Sequence, residues 1–278
     1  MIVNADSAQL YADLPILSAA PSPAERRVAD HRLYGVRDGA QAASAAEWAG
    51  LAKAEIASIH QQERLPILVG GTGLYLRTLI DGIAPVPPID PAVRRAVRSA
   101  STAENLAALV TIDPVAAATL NPGDSARIAR ALEVARSTGK SLKSWQQQRS
   151  GGIGGQVRLV PLILLPPRDW LYDRCDRRFA QMVETGAAHE VEQLTRRGLD
   201  PSLPVMRAIG VQQMLGFNQG AISKSEAIAA GTLATRRYAK RQYTWFSNQP
   251  PADWPRFTEA LDEPGAMERA LALLDAAE

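Results

Sequence analysis

The sequence lacks the features that mark several classes of protein. It has one cysteine, Cys175, in 278 residues, which excludes an internal disulfide framework and a cysteine-rich zinc site. The three histidines show no metal-ligand spacing. No apolar run reaches the roughly 18 residues of a membrane span, since LVPLILL at 159–165 ends in two prolines. Because no secretory signal pattern precedes the first predicted strand, we expect a soluble cytoplasmic protein with no membrane partner.

A strong charge of either sign is also lacking. Lysine and arginine number 31 against 29 aspartate and glutamate, so the net charge is +2, and 46% of the residues are hydrophobic. This balance excludes disorder driven by charge repulsion. The length allows one large domain with a smaller insertion.

Apolar residues alternate between strand and helix patterns in the first third of the chain. Residues 2–5 and 65–70 are typical of short buried strands, and 44–60 and 74–80 carry apolar residues at helical spacing. Strand, helix and strand in this order predict a parallel sheet.

A proline cluster at 84–91 then breaks the pattern, and helical spacing resumes to about residue 148. We therefore expect a helical insertion domain at 89–156. Residues 157–165 predict a third strand that returns the chain to the sheet.

The parts of the chain on either side of the insertion, 1–88 and 157–278, form the expected α/β core with C-terminal helices. The alanine-rich tail 259–278 predicts a surface helix.

Two features lie where parallel strands end, the edge at which open α/β sheets bind ligands. Asp6 follows the first strand, and its carboxylate could act as a general base or cap the next turn. The turn Gly70-Gly71-Thr72-Gly73 follows the second strand. Its glycines suit either a bound phosphate or the close packing of a helix on the sheet.

The sequence TGKS at 138–141 resembles the end of a Walker A loop, but Val134 stands where that motif needs glycine. Since the sequence also follows a helix, Gly139 is predicted to be a helix C-cap.

Basic residues concentrate in TRRYAKRQYTWF at 235–246. A helical projection places Arg236, Arg237, Lys240 and Arg241 on one arc and most aromatic residues on the other. The arc is either a solvated cationic face or a surface for a phosphate backbone.

Seven segments in order resemble the tRNA dimethylallyltransferase family and span most of the chain. They are NADSAQLY (4–11), LPILVGGTGLYL (65–76), DPAVR (90–94), NPGDSARIARALEV (121–134), LYDRCDRRF (171–179), MRAIGVQQM (206–214) and TRRYAKRQYTWF (235–246). The resemblance implies an α/β fold whose core is a P-loop-NTPase-like parallel sheet, with a helical insertion domain.

The same resemblance implies transfer of a dimethylallyl group from dimethylallyl diphosphate, with Mg²⁺, to N6 of the adenosine on the 3′ side of the anticodon. Asp6 is then the base that accepts the amine proton, and Arg178, in an RxxxR pattern with Arg174, stabilises the leaving diphosphate. The expected partner is the anticodon stem-loop of tRNA, bound by a monomer. The implied tRNA contacts are Asp6, Ser7, Ala8, Gln9, Thr72, Arg94, Arg127, Arg130, Arg207, Arg236, Arg237, Lys240, Arg241 and Gln242.

Two departures from the family bear on these expectations. Ala126 replaces a glutamine that is usual in the 126–130 segment. Family members also carry a first strand and a P-loop upstream of the residues that match NADSAQ, and both are missing from this chain. We therefore expect little activity from these residues alone, whether synthesis starts further upstream or the protein is a noncatalytic tRNA-binding homologue.

Overall fold

A computed structural model describes residues 1–275. The strands are β1 (Ile2–Asn4), β2 (His31–Arg32), β3 (Ile67–Val69), β4 (Ile163–Leu164) and β5 (Arg256–Phe257). The helices are α1 (Pro23–Val28), α2 (Ala45–Gln61), α3 (Gly73–Asp81), α4 (Pro91–Ser99), α5 (Thr102–Ile112), α6 (Pro114–Thr119), α7 (Ser125–Thr138), α8 (Leu142–Gln146), α9 (Arg168–Glu184), α10 (Ala187–Arg196), α11 (Val211–Asn218), α12 (Lys224–Asn248) and α13 (Ala266–Asp275). The chain divides into an α/β unit, Met1–Thr78 with the described residues from Gln156 onward, and a helical unit, Leu79–Gly155.

The main sheet of the α/β unit is parallel and has the strand order β2-β1-β3. Val3 of β1 lies opposite Arg32 of β2 on one side and Leu68 of β3 on the other. The predicted parallel sheet is therefore present, and Asp6 follows its central strand.

Two expectations about the strands are wrong. The strand predicted at 157–165 is reduced to β4, which pairs with β5 in a separate parallel sheet and does not return to the main one. Prolines at 161, 166 and 167 flank β4 and have no N–H to donate to a ladder. The segment 65–70 is not buried, because β3 lies at an edge of the described sheet and Ile67 and Val69 are about half exposed.

The main core of the α/β unit lies among α9, α10, α11 and α12. Phe179, Val191 and Met214 are buried in it together with Leu14 from the segment after β1. Trp48 of α2 is buried against the sheet, where its indole N–H donates to the carbonyl of Asn4 at 2.9 Å. These contacts fix the helices around the end of β1.

The helical unit is built from α4 to α8 around Val97, Leu109, Ile128 and Leu132. It begins before the predicted boundary at residue 89, because the backbones of Ile83 and Ser150 exchange hydrogen bonds of 3.0 and 3.1 Å. Gly139 ends α7 with φ of 68°, which confirms the predicted C-cap.

None of the described helices is both long and apolar enough to cross a membrane. The predicted surface helix at the C-terminus begins at Ala266, and its last predicted residues, 276–278, lie outside the described part of the chain.

Candidate active site

Asp6 is held in a fixed orientation where β1 ends. Its backbone N–H donates to Oδ1 of Asn4 at 2.7 Å, and its own Oδ1 accepts from the N–H of Ala8 at 2.8 Å. Asn4 is fully buried and donates to the carbonyls of Asp6 and Leu33. The carboxylate therefore does cap the next turn, as one of the two interpretations held.

The same carboxylate lines a cavity of about 500 Å³ in the α/β unit. Burial raises the pKa of Asp6, although its hydrogen bonds to the backbone of Ala8 and Gln9 oppose this shift. A carboxylate with a raised pKa is a stronger proton acceptor than an exposed one. Capping and base chemistry are thus compatible in this one side chain.

The cavity has a polar side and an apolar side. Besides Asp6, the polar side includes Ser7, Arg178, Arg207, Tyr238, Arg241 and Gln242. The apolar side includes Leu14, Leu17, Phe179, Met182 and Ile209. The cavity therefore suits a substrate that has both an anionic and an apolar part.

Arg178, Arg207 and Arg241 reach this cavity from three segments of the chain. Among residues 1–275, no carboxylate lies within ion-pair distance of any of the three. Their charge is available to a bound anion, which supports Arg178 as a contact for a leaving diphosphate. The guanidinium of Arg241 lies 5.6 Å from the ring centre of Tyr238.

Tyr238 lies on the basic helix α12 and lines the same cavity as Asp6. Burial raises the pKa of its phenol most, and the nearby charge of Asp6 raises it further. The phenol consequently stays protonated at neutral pH and can donate a hydrogen bond.

The glycine-rich turn at 70–73 serves packing in this structure. A Cβ added to Gly70 would lie 2.2 Å from the backbone carbon of Ala5, and one added to Gly73 would lie 2.4 Å from the Trp245 ring. The N–H of Thr72 donates to the carbonyl of Ala5 at 3.2 Å. These contacts account for the glycines without a bound phosphate.

Thr72 was expected to contact tRNA, and its hydroxyl here supports a neighbouring site residue. Its Oγ1 accepts from the N–H of Ser7 at 3.0 Å and donates to Oγ of Ser7 at 3.3 Å. Gln242 similarly donates to the carbonyl of Gly71 at 3.0 Å. The two side chains link the turn to the segment after Asp6 and to α12.

Arg236 differs from its basic neighbours on α12 in having an acidic partner. Its guanidinium forms a two-point ion pair with Asp176 of α9, one bond of which joins Nε to Oδ1 at 2.7 Å. Arg236 is therefore occupied within the protein, while Arg237 and Lys240 are exposed. Gln9 also lies apart from the cavity lining and donates to the carbonyls of Ser18 and Ala19.

The three remaining predicted contacts belong to the helical unit. Arg94 lies on α4, and Arg127 and Arg130 lie on α7. Arg127 pairs with Asp124 at 3.3 Å, and burial lowers the pKa of Arg130.

Several residues of the cavity wall were not among the predicted site residues. Tyr75 and Tyr238 are two of them, although both lie within the matching motifs. The thiol of Cys175 is buried, which raises its pKa, and it also lines the cavity. The loop residues Leu17 and Ala19 carry no local signal, because their place on the wall depends on contacts with distant helices.

The parallel strands and the two-sided cavity together define an α/β protein with a site for an amphipathic anion. The family model described as IPP transferase matches residues 9–249. The chain belongs to this family.

Similar proteins cover most of the chain. The tRNA dimethylallyltransferase of Sphingopyxis alaskensis is 60% identical over 260 residues, which are 94% of this chain and 85% of the relative. That of Zymomonas mobilis is 50% identical over 262 residues, 94% of this chain and 84% of the relative.

Two solved structures are similar in fold. The full-length tRNA isopentenylpyrophosphate transferase from Bacillus halodurans has a TM-score of 0.67 and 32% identity, over 99% of this chain and 88% of that one. A eukaryotic dimethylallyltransferase acting on tRNA has a TM-score of 0.78 and 25% identity, over 98% and 71%. The α/β arrangement of small parallel sheets and many helices is thus that of the family.

Proposed function

We propose that this protein is a tRNA dimethylallyltransferase that modifies N6 of the adenosine on the 3′ side of the anticodon. The observation that carries the proposal is one cavity in which a partly buried carboxylate, Asp6, lines the same space as three arginines without carboxylate partners and an apolar wall. Relatives 60% identical to this chain are named for this activity, so the noncatalytic alternative is not favoured.

The reaction assigns a role to each side of the cavity. The adenine N6 forms a bond to C1 of the dimethylallyl group, and the bond from C1 to the diphosphate oxygen breaks. Diphosphate leaves with the electron pair, where Arg178 and its neighbours stabilise the negative charge. The N6 proton passes to the carboxylate of Asp6.

The apolar wall complements the hydrocarbon part of the donor and keeps water from the reacting carbon. Leu17, Phe179 and Met182 supply this surface. Because the target base is stacked in the anticodon loop, it must leave its stack to enter, at a cost of a few kcal/mol.

The expected Mg²⁺ ion does not fit a site made by the protein alone. Residues 1–275 contain no group of three or more histidine, cysteine or acidic side chains that could hold a metal ion. Asp6 is the one carboxylate on the cavity wall. We assign no step to the ion and include it in the assay as a component of the donor solution.

The proposal extends to the finer features of the fold and of binding. We infer a P-loop-like core, supported by the parallel pairing and the helical connections between β1, β2 and β3. We further propose that the protein is a cytoplasmic monomer that recognises the anticodon stem-loop. The exposed Arg237 and Lys240 on α12 support the contact with RNA.

The test is transfer of the dimethylallyl group to an unmodified anticodon stem-loop, followed by mass spectrometry of the RNA. The 278-residue chain is assayed on this stem-loop, and a stem-loop with guanosine at the target position is the control. We expect modified adenosine in the first RNA and no modification of the control. Binding of the stem-loop without transfer would support the noncatalytic alternative.

A further inference from the structure

One wall of the cavity is a loop without helix or strand. This wall loop, residues 13–20, contributes Leu14, Leu17, Ser18 and Ala19 to the cavity lining. Ala19 has a φ of 52°, a left-handed conformation that residues other than glycine rarely adopt. A loop in this conformation needs contacts from outside to keep its shape.

Glu190 of α10 supplies the central contact. Its Oε1 accepts from the backbone N–H of Ile16 at 2.6 Å, and its Oε2 accepts from the N–H of Leu17 at 2.9 Å. The side chain is 8% exposed. Both carboxylate oxygens are therefore used to hold two successive residues of the wall loop.

No cation forms an ion pair with Glu190 among the described residues. Burial raises the pKa of its carboxyl, and the two backbone N–H groups oppose that shift. Keeping a carboxylate without a cationic partner in a buried place costs stability, and the hydrogen bonds from the two N–H groups offset part of that cost. An apolar residue here would leave both N–H groups without their acceptor, so the carboxylate ties the position of the wall loop to α10.

Other contacts hold the two ends of the same loop. At its start, Arg197, just after α10, forms an ion pair with Asp13. At its end, Nε2 of Gln9 donates to the carbonyls of Ser18 at 3.0 Å and Ala19 at 2.8 Å. Glu190 holds the middle of the wall loop through the N–H groups of Ile16 and Leu17.

We propose that Glu190 is a positioning residue of the active site, which fixes the apolar wall through the backbone of Ile16 and Leu17. It acts through the wall loop and does not touch the substrate. The inference rests on the proposed function for the identity of that substrate. Leu17 is the cavity residue whose position depends most directly on this carboxylate.

The choice of glutamate is specific. Glutamine has nearly the same shape, but its amide offers one oxygen acceptor and one NH₂ donor. One of the two loop N–H groups would then face a donor and lose its hydrogen bond. Glu190→Gln should therefore free one end of the contact without opening a cavity.

The experiment compares Glu190→Gln with Glu192→Gln, which changes an exposed glutamate on the same helix. Amide hydrogen exchange is measured in the absence of substrate, and KM and kcat are measured in the transfer assay. In Glu190→Gln we expect exchange at Ile16 and Leu17 to rise on the order of tenfold, the effect of losing one hydrogen bond to a charged group. KM should rise more than kcat falls. Glu192→Gln should leave the exchange at Ile16 and Leu17, the KM and the kcat unchanged.

A purely structural role would lower the thermal midpoint and leave KM unchanged, which would overturn the proposal. Unchanged exchange at Ile16 and Leu17 would overturn it as well. If Glu190→Gln does not fold, Glu190→Asp, which keeps the charge on a side chain one methylene shorter, is measured in the same way with the same expectation. Absence of turnover in the unmodified protein would count against the proposed function, and stem-loop affinity would then replace KM as the second measurement.

Discussion

Arg236 and Asp176 join α12 to α9 through a two-point ion pair, although 60 positions separate them in the sequence. The guanidinium also lies 5.6 Å from the ring centre of Tyr172. Arg236 is therefore occupied by the protein itself, whereas Arg237 and Lys240, on the same helix, are exposed. The basic helix is divided between support of the fold and a surface for a partner.

This division predicts different results for substitutions of neighbouring basic residues. Arg237→Gln and Lys240→Gln should each weaken stem-loop binding and reduce the slope of log affinity against log salt by about 0.7 to 0.9, because each removes one phosphate contact. Arg236→Gln should leave the slope unchanged and slightly lower the thermal midpoint. Fluorescence anisotropy over a series of salt concentrations measures the slopes.

Asp176→Asn is the matched control, since it breaks the same ion pair from the acidic side. It should lower the thermal midpoint like Arg236→Gln. If Arg236→Gln alone reduced the salt slope, the ion pair would have to open when RNA binds, and the division of the helix would be wrong.

The ion pair shows where sequence patterns stop being informative. A helical projection places Arg236 on the basic arc correctly, but it contains no information about α9. Asp176 lies close in sequence to arginines of its own helix, yet it pairs with an arginine of α12. Pairing between distant elements depends on how helices pack, which periodicity alone does not determine.

The fold, too, was predictable only where the signals are local. β1, α2, β3 and α3 lie close to their predicted positions because apolar spacing and glycine turns are local signals. The two-residue strands β2 and β5 were missed, since so short a segment has no period. The burial predicted for 65–70 failed because apolar content does not show whether a strand is central or at an edge.

The site was predictable where a residue ends a strand or lies in a matching motif, as for Asp6 and Arg178. The wall loop was not predictable, because Glu190 and Leu17 meet only after α10 has packed. Sequence thus indicated the chemical groups, and packing supplied the walls around them.

Asp6→Asn should lower the transfer rate by about 10² to 10⁴, the usual effect of removing a general base. Asparagine can still accept the hydrogen bond from Ala8, so the turn and the RNA affinity should change little. Single-turnover kinetics with excess enzyme isolate the chemical step. An unchanged single-turnover rate would remove Asp6 from the role of base.

The same substitution should have an unusual effect on stability. Burial raises the pKa of Asp6 above its ordinary value of 3.8, so the folded state binds more protons than the unfolded state between those two pKa values. The contribution of Asp6 to stability is therefore lost as the pH rises through the folded pKa. Asp6→Asn should stabilise the protein at neutral pH, and the gain should vanish in acid.

Asp30→Asn provides a control of opposite sign. The Arg64 guanidinium holds the pKa of Asp30 below its ordinary value, so its contribution is present above that value and lost as the pH falls. Its removal should destabilise the protein at neutral pH. Thermal unfolding of both variants from acid to neutral pH measures the two trends, and parallel trends would contradict the environment assigned to Asp6.

Gly231 of α12 packs directly against the ring of Phe179 of α9. A Cβ added to Gly231 would lie 1.9 Å from Cζ of Phe179, which is buried and lines the cavity. Alanine favours a helix over glycine by about 1 kcal/mol, but overpacking here should cost about 1 to 3 kcal/mol. We therefore expect Gly231→Ala to destabilise the protein in urea unfolding and to reduce transfer, because Phe179 must move into the cavity or push the helices apart.

Two further variants separate packing from helix propensity. Gly50→Ala, on α2, places a Cβ where no atom lies within 4 Å, so it should gain up to about 1 kcal/mol. Adding Phe179→Leu to Gly231→Ala relieves the contact, so the double variant should be more stable than the sum of the two single effects. Additive effects would mean that the helices already accommodate a side chain at Gly231, and the tight contact would then not determine the position of Phe179 on the cavity wall.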